Sequence, residues 1–272
     1  MASGAAPWAA SSCSFDDGFT GGALPWSGTG ATVIRRAPSV ETGSRLVVDA
    51  RDASGGVTEF LVDTGTSCAF VSDSAAAART AKVSDRRIRL LANEGSCSYV
   101  GRDSMLPTLD LGGLDTAQLP VFIVERAHDL RCPANVLGMS WMSGLALAHD
   151  AHADTWRLTP SGSAAHTGAG EMDIEAAGLP VVELADERGS KVYGLIDTGT
   201  PRSLVEAGRA PGLFRLTDKA GATLLTIDAR DDALWHGLRP GGRPVVVWIG
   251  LDALSTRTWT IDFATRRWSF AP

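Results

Sequence analysis

The sequence is poor in cysteine, and its cysteines lack the spacing of a metal site. Cys13, Cys68, Cys97 and Cys132 form no CxxC pair and show no pattern of metal ligands. An even number of cysteines allows disulfides in an exported protein, and four cysteines have three full pairings. Buried or half-buried thiols are an equally good interpretation. The cysteines therefore leave both the redox state and the compartment open.

Long apolar runs and an excess of basic residues are also missing. The longest apolar run, near residues 245–251, is much shorter than the roughly 18 residues of a membrane helix and favours a buried strand. A net charge of −6 argues against nucleic-acid binding. The N-terminus lacks the basic start and apolar core of a signal peptide. We expect a soluble protein without membrane or nucleic-acid partners, either cytoplasmic or exported with its signal already removed.

One tripeptide, Asp-Thr-Gly, occurs twice, at residues 63–65 and 197–199, each time directly after a short apolar run. Two carboxyl groups held close together cannot both ionise, so they share one proton. The charged group can then take a proton from water while the neutral group donates one to a substrate carbonyl. The sequence predicts Asp63 and Asp197 as a catalytic pair in one site.

Each loop also provides residues that could support its carboxylate. We expect the hydroxyls of Thr66 and Thr200 to bond the outer carboxylate oxygens and those of Thr64 and Thr198 to tie the two loops together. A glycine after each threonine lets backbone amides approach the carboxylate closely. The predicted supporting residues are Thr64, Gly65, Thr66, Thr198, Gly199 and Thr200.

The surroundings of the two tripeptides match as well. An offset of 134 in the numbering lays Asp63 over Asp197 and aligns the apolar runs before both motifs without a gap. A second gapless match has an offset of 112 and places Leu137-Gly138 over Ile249-Gly250 and Trp156 over Trp268. We interpret the chain as an internal duplication, and we expect both tryptophans to be core residues.

The two offsets differ by 22, so the first half contains that much more chain between its motif and its apolar-Gly element. The extra length surrounds residues 95–101, a segment rich in small residues between two apolar stretches. This pattern predicts a β-hairpin with a flexible tip. Short strand patterns dominate the rest, and residues 74–81 and 140–145 have the strongest patterns for short helical turns. The fold class predicted from these patterns is all-β with minor helix.

The doubled Asp-Thr-Gly, each followed by an apolar-apolar-Gly element and a closing hairpin with Asp and then Trp, resembles the pepsin-type and retropepsin-type aspartic proteases. The resemblance covers roughly residues 44–272. It implies a bilobal acid protease with a cleft between two β lobes, each lobe contributing one catalytic Asp. In that family a first-lobe hairpin flap with a Tyr closes over the substrate, which makes Tyr99 the candidate flap residue. The compact length is closer to a fused pair of bacterial retropepsin-like domains.

Composition suggests how the chain is divided. Residues 1–43 are expected to form an N-terminal arm or leader, whose interpretations include a prosegment and an extended arm packed on the surface. The first lobe, with the flap, is placed at residues 44–160 and the second at 178–272. Residues 161–177 have the composition of a linker. Because both half-sites lie in one chain, we expect a monomer.

The stretch from His149 to Asp154 contains two histidines and two aspartates and superficially resembles a metal site. Under the repeat alignment it lies over residues 261–266, which have no ligand set. A polar hairpin turn explains it better, and we expect no metal and no cofactor.

Three functions fit the sequence. The first is an aspartic endopeptidase that cleaves peptide or protein substrates with water activated by the Asp63/Asp197 pair. The second uses the same pair as acid and base on a non-peptide, biosynthetic substrate, since a fold does not fix a reaction. The third is a non-catalytic peptide-binding module that captures an extended segment by strand addition. Retention of both acidic loops weighs against the third.

Overall fold

The computed structural model describes residues 13–14, 18–19, 26–28, 30–39, 43–92, 97–125, 132–162, 169–171, 173–174, 178–231 and 243–271. Within these ranges nearly all regular structure is β. The first half contains the strands β1 (Cys13–Ser14), β2 (Gly18–Phe19), β3 (Thr32–Ser39), β4 (Gly43–Asp52), β5 (Val57–Val62), β6 (Phe70–Ser72), β7 (Lys82–Ala92), β8 (Cys97–Asp110), β9 (Asp115–Val124), β10 (Asn135–Leu137), β11 (Leu145–Asp150) and β12 (Thr155–Pro160).

The second half repeats much of this arrangement with fewer strands. It contains β13 (Ala169–Glu171), β14 (Asp173–Ile174), β15 (Pro180–Ala185), β16 (Lys191–Ile196), β17 (Leu204–Val205), β18 (Gly212–Thr217), β19 (Thr223–Asp231), β20 (Val245–Ile249), β21 (Trp259–Asp262) and β22 (Arg267–Phe270). Helix is limited to α1 (Met139–Met142), α2 (Leu251–Leu254) and a 3₁₀ turn at Ala77–Thr80. The prediction of an all-β fold with minor helix is confirmed.

Backbone hydrogen bonds join the two halves through one sheet. The larger sheet has thirteen strands in the order β13-β22-β21-β11-β12-β3-β4-β5-β10-β6-β9-β8-β7. Its β11 belongs to the first half and pairs with β21 of the second, with Leu147 opposite Ile261. A seven-stranded sheet, β14-β15-β16-β20-β17-β19-β18, forms the rest of the second half. The two lobes therefore share a continuous β connection.

The strand before each Asp-Thr-Gly has the same partner in the same register. In the first half β5 is antiparallel to β4, with Val47 opposite Leu61. In the second half β16 is antiparallel to β15, with Val181 opposite Leu195. Both members of the second pair are related to those of the first by the offset of 134 found in the sequence. The two motifs thus end equivalent strands.

The apolar-Gly elements also take equivalent places, each parallel to the strand that carries an Asp. Leu137 of β10 lies beside Val62 of β5, and Ile249 of β20 lies beside Ile196 of β16. Parallel neighbours end at the same edge of a sheet. This geometry brings the residues after Leu137 and Ile249 next to the Asp-Thr-Gly loops.

The extra length of the first half is an added strand and a long hairpin. Strand β9 is parallel to β6 and antiparallel to β8, as β19 is to β17 and β18. Strand β7 pairs with β8 and has no counterpart among the strands that the structure describes in the second half. The tip, residues 93–96, lies outside the described residues. The predicted hairpin is therefore present, with much longer arms than its small-residue tip indicates.

Tryptophans fill the core where the two lobes join. Trp156 and Trp268 are each only 1% exposed. Both contact Trp259, edge to face, with ring centroids 5.4 Å and 6.1 Å apart. Such tilted contacts are favoured by the charge distribution of aromatic rings. The prediction that Trp156 and Trp268 are core residues is confirmed.

Part of the predicted N-terminal arm is built into the fold. Strand β3 pairs with both β4 and β12. Ahead of it, Trp26 is buried and its indole N–H donates to the carbonyl of Trp141 at 2.7 Å. Ser27 exchanges two backbone hydrogen bonds with Asp115. This part of the arm packs against the first lobe.

The turn between β11 and β12 contains the histidine-aspartate stretch. Asp150 accepts the backbone N–H groups of His152 and Ala153 at 2.9 and 3.3 Å, as in a tight polar turn. His149 is buried and its Nδ1 lies 2.8 Å from the carbonyl of Arg257. The described residues contain no group of three or more His, Cys, Asp or Glu arranged to hold a metal. Among the same residues, no helix is long and apolar enough to cross a membrane.

Candidate active site

The two aspartates lie at matching strand ends. The backbone N–H of Asp63 donates to the carbonyl of Leu137 at 3.1 Å, and that of Asp197 donates to the carbonyl of Ile249 at 3.0 Å. Each Asp is thus the last residue held by the parallel pairing before its chain turns into the Gly-containing loop. The same strand arrangement therefore positions both carboxylates.

Thr64 and Thr198 link the two loops through four hydrogen bonds. The hydroxyl of Thr64 donates to the carbonyl of Ile196 at 2.7 Å and accepts the N–H of Thr198 at 3.0 Å. The hydroxyl of Thr198 donates to the carbonyl of Val62 at 2.8 Å and accepts the N–H of Thr64 at 3.1 Å. Both threonines are fully buried. The prediction that these two residues tie the loops together is confirmed.

The glycines bring each loop against the opposite carboxylate. A Cβ atom added to Gly65 would lie 2.5 Å from Oδ1 of Asp197, and one added to Gly199 would lie 2.6 Å from Oδ1 of Asp63. Distances this short leave no room for a side chain. The close approach of the two loops therefore requires glycine at both positions.

Backbone and side-chain donors surround Asp63. The N–H of Gly65 donates to Oδ1 at 2.9 Å, and the hydroxyl of Thr66 donates to Oδ2 at 2.7 Å. Thr66 therefore makes the contact predicted for it. Burial raises the pKa of Asp63, while the bonds from Thr66 and Gly65 oppose that rise because they stabilise the charged form.

Asp197 is held differently. The N–H of Gly199 donates to its Oδ1 at 2.9 Å, but the hydroxyl of Thr200 donates to the carbonyl of Arg202 at 3.2 Å instead of bonding the carboxylate. The prediction for the Thr200 hydroxyl was wrong. The two loops differ in sequence directly after this threonine, where Pro201 restricts the backbone of the residue before it. The two halves of the site are thus unequal in hydrogen bonding.

This inequality is accompanied by a difference in pKa between the two carboxyl groups. Burial and the neighbouring charge of Asp63 raise the pKa of Asp197 well above its usual value. A hydrogen bond between the two carboxyl groups further raises the pKa of Asp197 and lowers that of Asp63. The pKa of Asp197 is therefore raised further than that of Asp63.

Behind the loops, the apolar-Gly elements act as a support that the motifs alone did not reveal. The N–H of Met139 donates to the carbonyl of Thr66 at 2.8 Å, and the N–H of Leu251 donates to that of Thr200 at 3.0 Å. A Cβ on Gly138 would lie 2.8 Å from the Thr66 carbonyl oxygen, so a glycine is required there. The backbone of each supporting segment thus packs directly on a dyad loop.

Side chains complete this support with different chemistry in each lobe. In the first lobe the hydroxyl of Ser140 accepts the N–H of Ala69 at 2.9 Å. At the corresponding place in the second lobe, Oδ1 of Asp252 accepts the hydroxyl and the N–H of Ser203 at 2.7 and 2.9 Å. Sequence reasoning missed these residues. The signal was present, because the offset of 112 aligns Ser140 with Asp252 and the offset of 134 aligns Ala69 with Ser203.

Tyr99 lies on β8, near the end of the long hairpin, and its side chain is only 2% exposed. Its hydroxyl donates to the carbonyl of Pro133 at 2.8 Å, and its ring packs on Phe70 with centroids 5.0 Å apart. Burial and the charge of Asp63 raise its pKa. Tyr99 is therefore close enough to the pair to interact with Asp63, and it is anchored in a small hydrophobic cluster.

Two cysteines of that neighbourhood are oxidised. Cys68 and Cys132 are both disulfide-bonded. They are buried together with Phe70 and Tyr99 in one cluster. The interpretation as free thiols was wrong for these two cysteines. The side chains of Cys13 and Cys97 lie outside the described part of the structure.

Comparisons with known proteins agree with this geometry. Residues 50–141 match the family model described as aspartyl protease. An aspartic proteinase from Irpex lacteus has a similar solved structure, with a TM-score of 0.60, 15% sequence identity, and coverage of 88% of this chain and 96% of that chain. At this identity the likeness concerns the fold. A search of curated proteins gave no match.

The matched segment contains the first Asp-Thr-Gly loop and its supporting element, and the structural match extends over both lobes. Together they support a protease-type function. The resemblance predicted from the sequence is confirmed: this chain is similar to the pepsin-type and retropepsin-type aspartic proteases, in sequence over its first lobe and in fold over most of its length.

Proposed function

We propose that this protein is an aspartic endopeptidase in which Asp63 and Asp197 activate a water molecule for attack on a peptide bond. The observation that carries the proposal is that Gly65 lies directly against the carboxyl group of Asp197 and Gly199 against that of Asp63, in a site where burial raises the pKa of both carboxyl groups. Two carboxyl groups sharing one proton can act as base and acid at the same time.

The roles follow from the unequal environments. Asp63 is the base, since Thr66 and Gly65 stabilise its charge. It takes a proton from the water while the oxygen bonds to the substrate carbonyl carbon. Asp197 is the acid and gives its proton to the carbonyl oxygen, which yields a neutral tetrahedral diol. Asp63 then gives its proton to the amide nitrogen while a diol hydroxyl returns one to Asp197. The C–N bond breaks, the carboxylic acid and the amine leave, and the pair is back in its starting protonation state.

The rest of the chain fits this role. In this proposal residues 44–160 and 178–272 are the two lobes, and peptide or protein substrate lies between them. One chain contains both half-sites, so a monomer is sufficient. The long β7–β8 hairpin is the flap, and Tyr99 is its candidate residue, with its anchored side chain holding the hairpin above Asp63.

The test is cleavage of a mixed peptide library between about pH 3 and pH 8, the range in which paired carboxyl groups titrate. We expect the parent to cleave peptides and Asp63→Asn and Asp197→Asn to be inactive. Asp218→Asn is the matched control, because Asp218 is a half-buried turn residue that accepts the N–H groups of Ala220 and Ala222. It should keep full activity.

No cleavage at any pH, with the two dyad variants behaving like the parent, would contradict the proposal. Turnover of a non-peptide substrate that Asp63→Asn abolishes would assign the pair to other chemistry. Tight peptide binding that neither substitution affects would identify a binding module.

A further inference from the structure

The contact between the second dyad loop and helix α2 is organised by one carboxylate oxygen. Oδ1 of Asp252 accepts the N–H of Ser203 at 2.9 Å, its hydroxyl at 2.7 Å and the N–H of Ala253 at 2.7 Å. Ser203 is fully buried, and its Oγ accepts the N–H of Gly250 at 3.0 Å. Hydrogen bonds to a charged acceptor are stronger than those between neutral groups. We call this arrangement the Asp252 clamp.

The clamp closes the loop that begins at Asp197. A backbone hydrogen bond from the N–H of Leu251 to the carbonyl of Thr200, at 3.0 Å, holds the same loop. At its other end the loop presents the N–H of Gly199 to Asp197 Oδ1 at 2.9 Å. The N–H of Thr200, on the same loop, lowers the pKa of this carboxyl group. The orientation of these N–H groups toward the carboxyl group of Asp197 depends on how rigidly the loop is held.

The first lobe depends less on such a clamp. There the hydroxyl of Thr66 bonds Asp63 directly, and the side-chain support behind the loop is a neutral hydrogen bond, from the N–H of Ala69 to the hydroxyl of Ser140. In the second lobe the hydroxyl of Thr200 points away from the carboxyl group, toward the carbonyl of Arg202. The loop donors described for Asp197 are backbone N–H groups, so loop geometry controls them.

We propose that Asp252 is a positioning residue of the second half-site, which acts through Ser203 to keep the N–H groups of Gly199 and Thr200 aimed at Asp197. The proposal rests on the proposed peptidase function, because it assigns Asp252 an indirect role in proton donation by Asp197. Asp252 acts through the loop and not on the substrate.

The Asp252→Ala variant removes the acceptor. The loosened N–H groups then stabilise ionised Asp197 less, so the pKa of Asp197 rises further. The high-pH limb of the kcat profile, where Asp197 loses its proton, should move to higher pH. We expect kcat to fall by about 10- to 100-fold with a smaller change in KM, since small misplacements of reacting groups cost rates of this order.

The Asp252→Asn variant separates hydrogen bonding from charge. Its Oδ1 can accept the same three bonds without the negative charge, so its high-pH limb and kcat should stay near those of the parent. Asp218→Ala is the matched control, because that carboxylate also accepts backbone N–H groups in a second-lobe turn, at 2.9 and 2.8 Å. The proposal is overturned when Asp252→Ala keeps the parent's limb or when Asp218→Ala shifts it equally.

A titration that needs no substrate separates this proposal from the proposed function. The ¹³C signal of the Asp197 carboxyl group should titrate at higher pH in Asp252→Ala than in Asp252→Asn, and equal titration overturns the proposal. When the parent cleaves no peptide, the proposed function fails while this comparison still decides the role of Asp252. Circular dichroism checks folding. When Asp252→Ala does not fold, Ser203→Ala replaces it, with a shift expected in the same direction and its absence counting against the clamp.

Discussion

Thr64 and Thr198 lie 134 residues apart in the chain, yet each accepts the backbone N–H of the other through its side-chain hydroxyl, at 3.1 and 3.0 Å. Each hydroxyl also donates to a carbonyl of the opposite loop. The two half-sites are thus fastened to each other by buried side chains directly beside the carboxylates.

Thr64→Val should therefore loosen the site. The substitution keeps the shape but leaves the N–H of Thr198 and the carbonyl of Ile196 without their partner. Each unsatisfied buried group costs about 1–3 kcal/mol, so we expect the free energy of unfolding to fall by about 3 kcal/mol. Thr64→Ser keeps the hydroxyl and should lose much less. The measurement is urea-induced unfolding, with exposed Thr108→Val as the control.

The double variant Thr64→Val/Thr198→Val sharpens this test. Because both threonines act in one network, the second substitution should cost less than it does alone. Strict additivity would show that the two loops are not coupled through these hydroxyls.

The pH dependence of stability should reflect the dyad. For a carboxyl group whose folded-state pKa is raised, the stability contribution is complete below the unfolded value, near 3.8, and is lost as pH rises through the folded value. The pKa of Asp197 is raised more than that of Asp63. Asp197→Asn should therefore exceed the parent in stability by a larger margin at about pH 7 than at about pH 3. Thermal unfolding at both values measures the difference.

Asp218→Asn is the control for that measurement, because it makes the same chemical change at a half-buried turn residue. A parent that is less stable than Asp197→Asn by the same amount at both pH values would contradict the assignment, since no titration of Asp197 would then be involved.

Gly65→Ala should reduce activity, because Gly65 belongs to the Asp63 loop and lies against Asp197 of the other loop. The new methyl group would lie within 2.5 Å of Oδ1 of Asp197, so the loops must separate. Overpacking of this kind costs about 1–3 kcal/mol, and peptide cleavage should fall at least about 100-fold. Gly30→Ala is the control, because its added Cβ meets its nearest atom at an ordinary 3.5 Å. A Gly65→Ala variant with parental kcat would show that the loops are not in contact.

Tyr99→Phe tests the anchoring of the hairpin. It removes the hydrogen bond to the carbonyl of Pro133 and keeps the ring against Phe70. We expect a loss of about 1 kcal/mol in stability. Tyr193→Phe provides the control, since Tyr193 is the other tyrosine of the chain and is only partly buried. Unchanged stability together with a several-fold higher KM would indicate that the Tyr99 hydroxyl binds the substrate instead.

The sequence predicted that Asp63 and Asp197 come together with their immediate neighbours, because these features are local or repeated. A strand that ends in Asp-Thr-Gly specifies a sharp turn, and gapless matching of the two halves indicated which residues occupy equivalent places. Register confirmed this alignment at Val47–Leu61 and Val181–Leu195. The roles of Thr64, Thr66 and Thr198 followed from the same local logic.

The contact of Thr200 could not be predicted in this way. A hydroxyl bonds whichever acceptor the loop brings within reach, and in the second loop that acceptor is the carbonyl of Arg202. The contact of Asp252 with this loop could not be predicted for a related reason. Asp252 is distant from Asp197 in the sequence and reaches the loop only because β20 runs parallel to β16.

By itself the sequence determined that two Asp-Thr-Gly loops exist, that equivalent strands carry them, and that the chain is mostly β. These properties depend on residue type, spacing and repetition. Only the tertiary structure decided which of the two carboxyl groups has the more strongly raised pKa. That choice depends on burial, on the charge of the other Asp and on the donors each loop supplies, and these come together from distant parts of the chain when the two lobes pack.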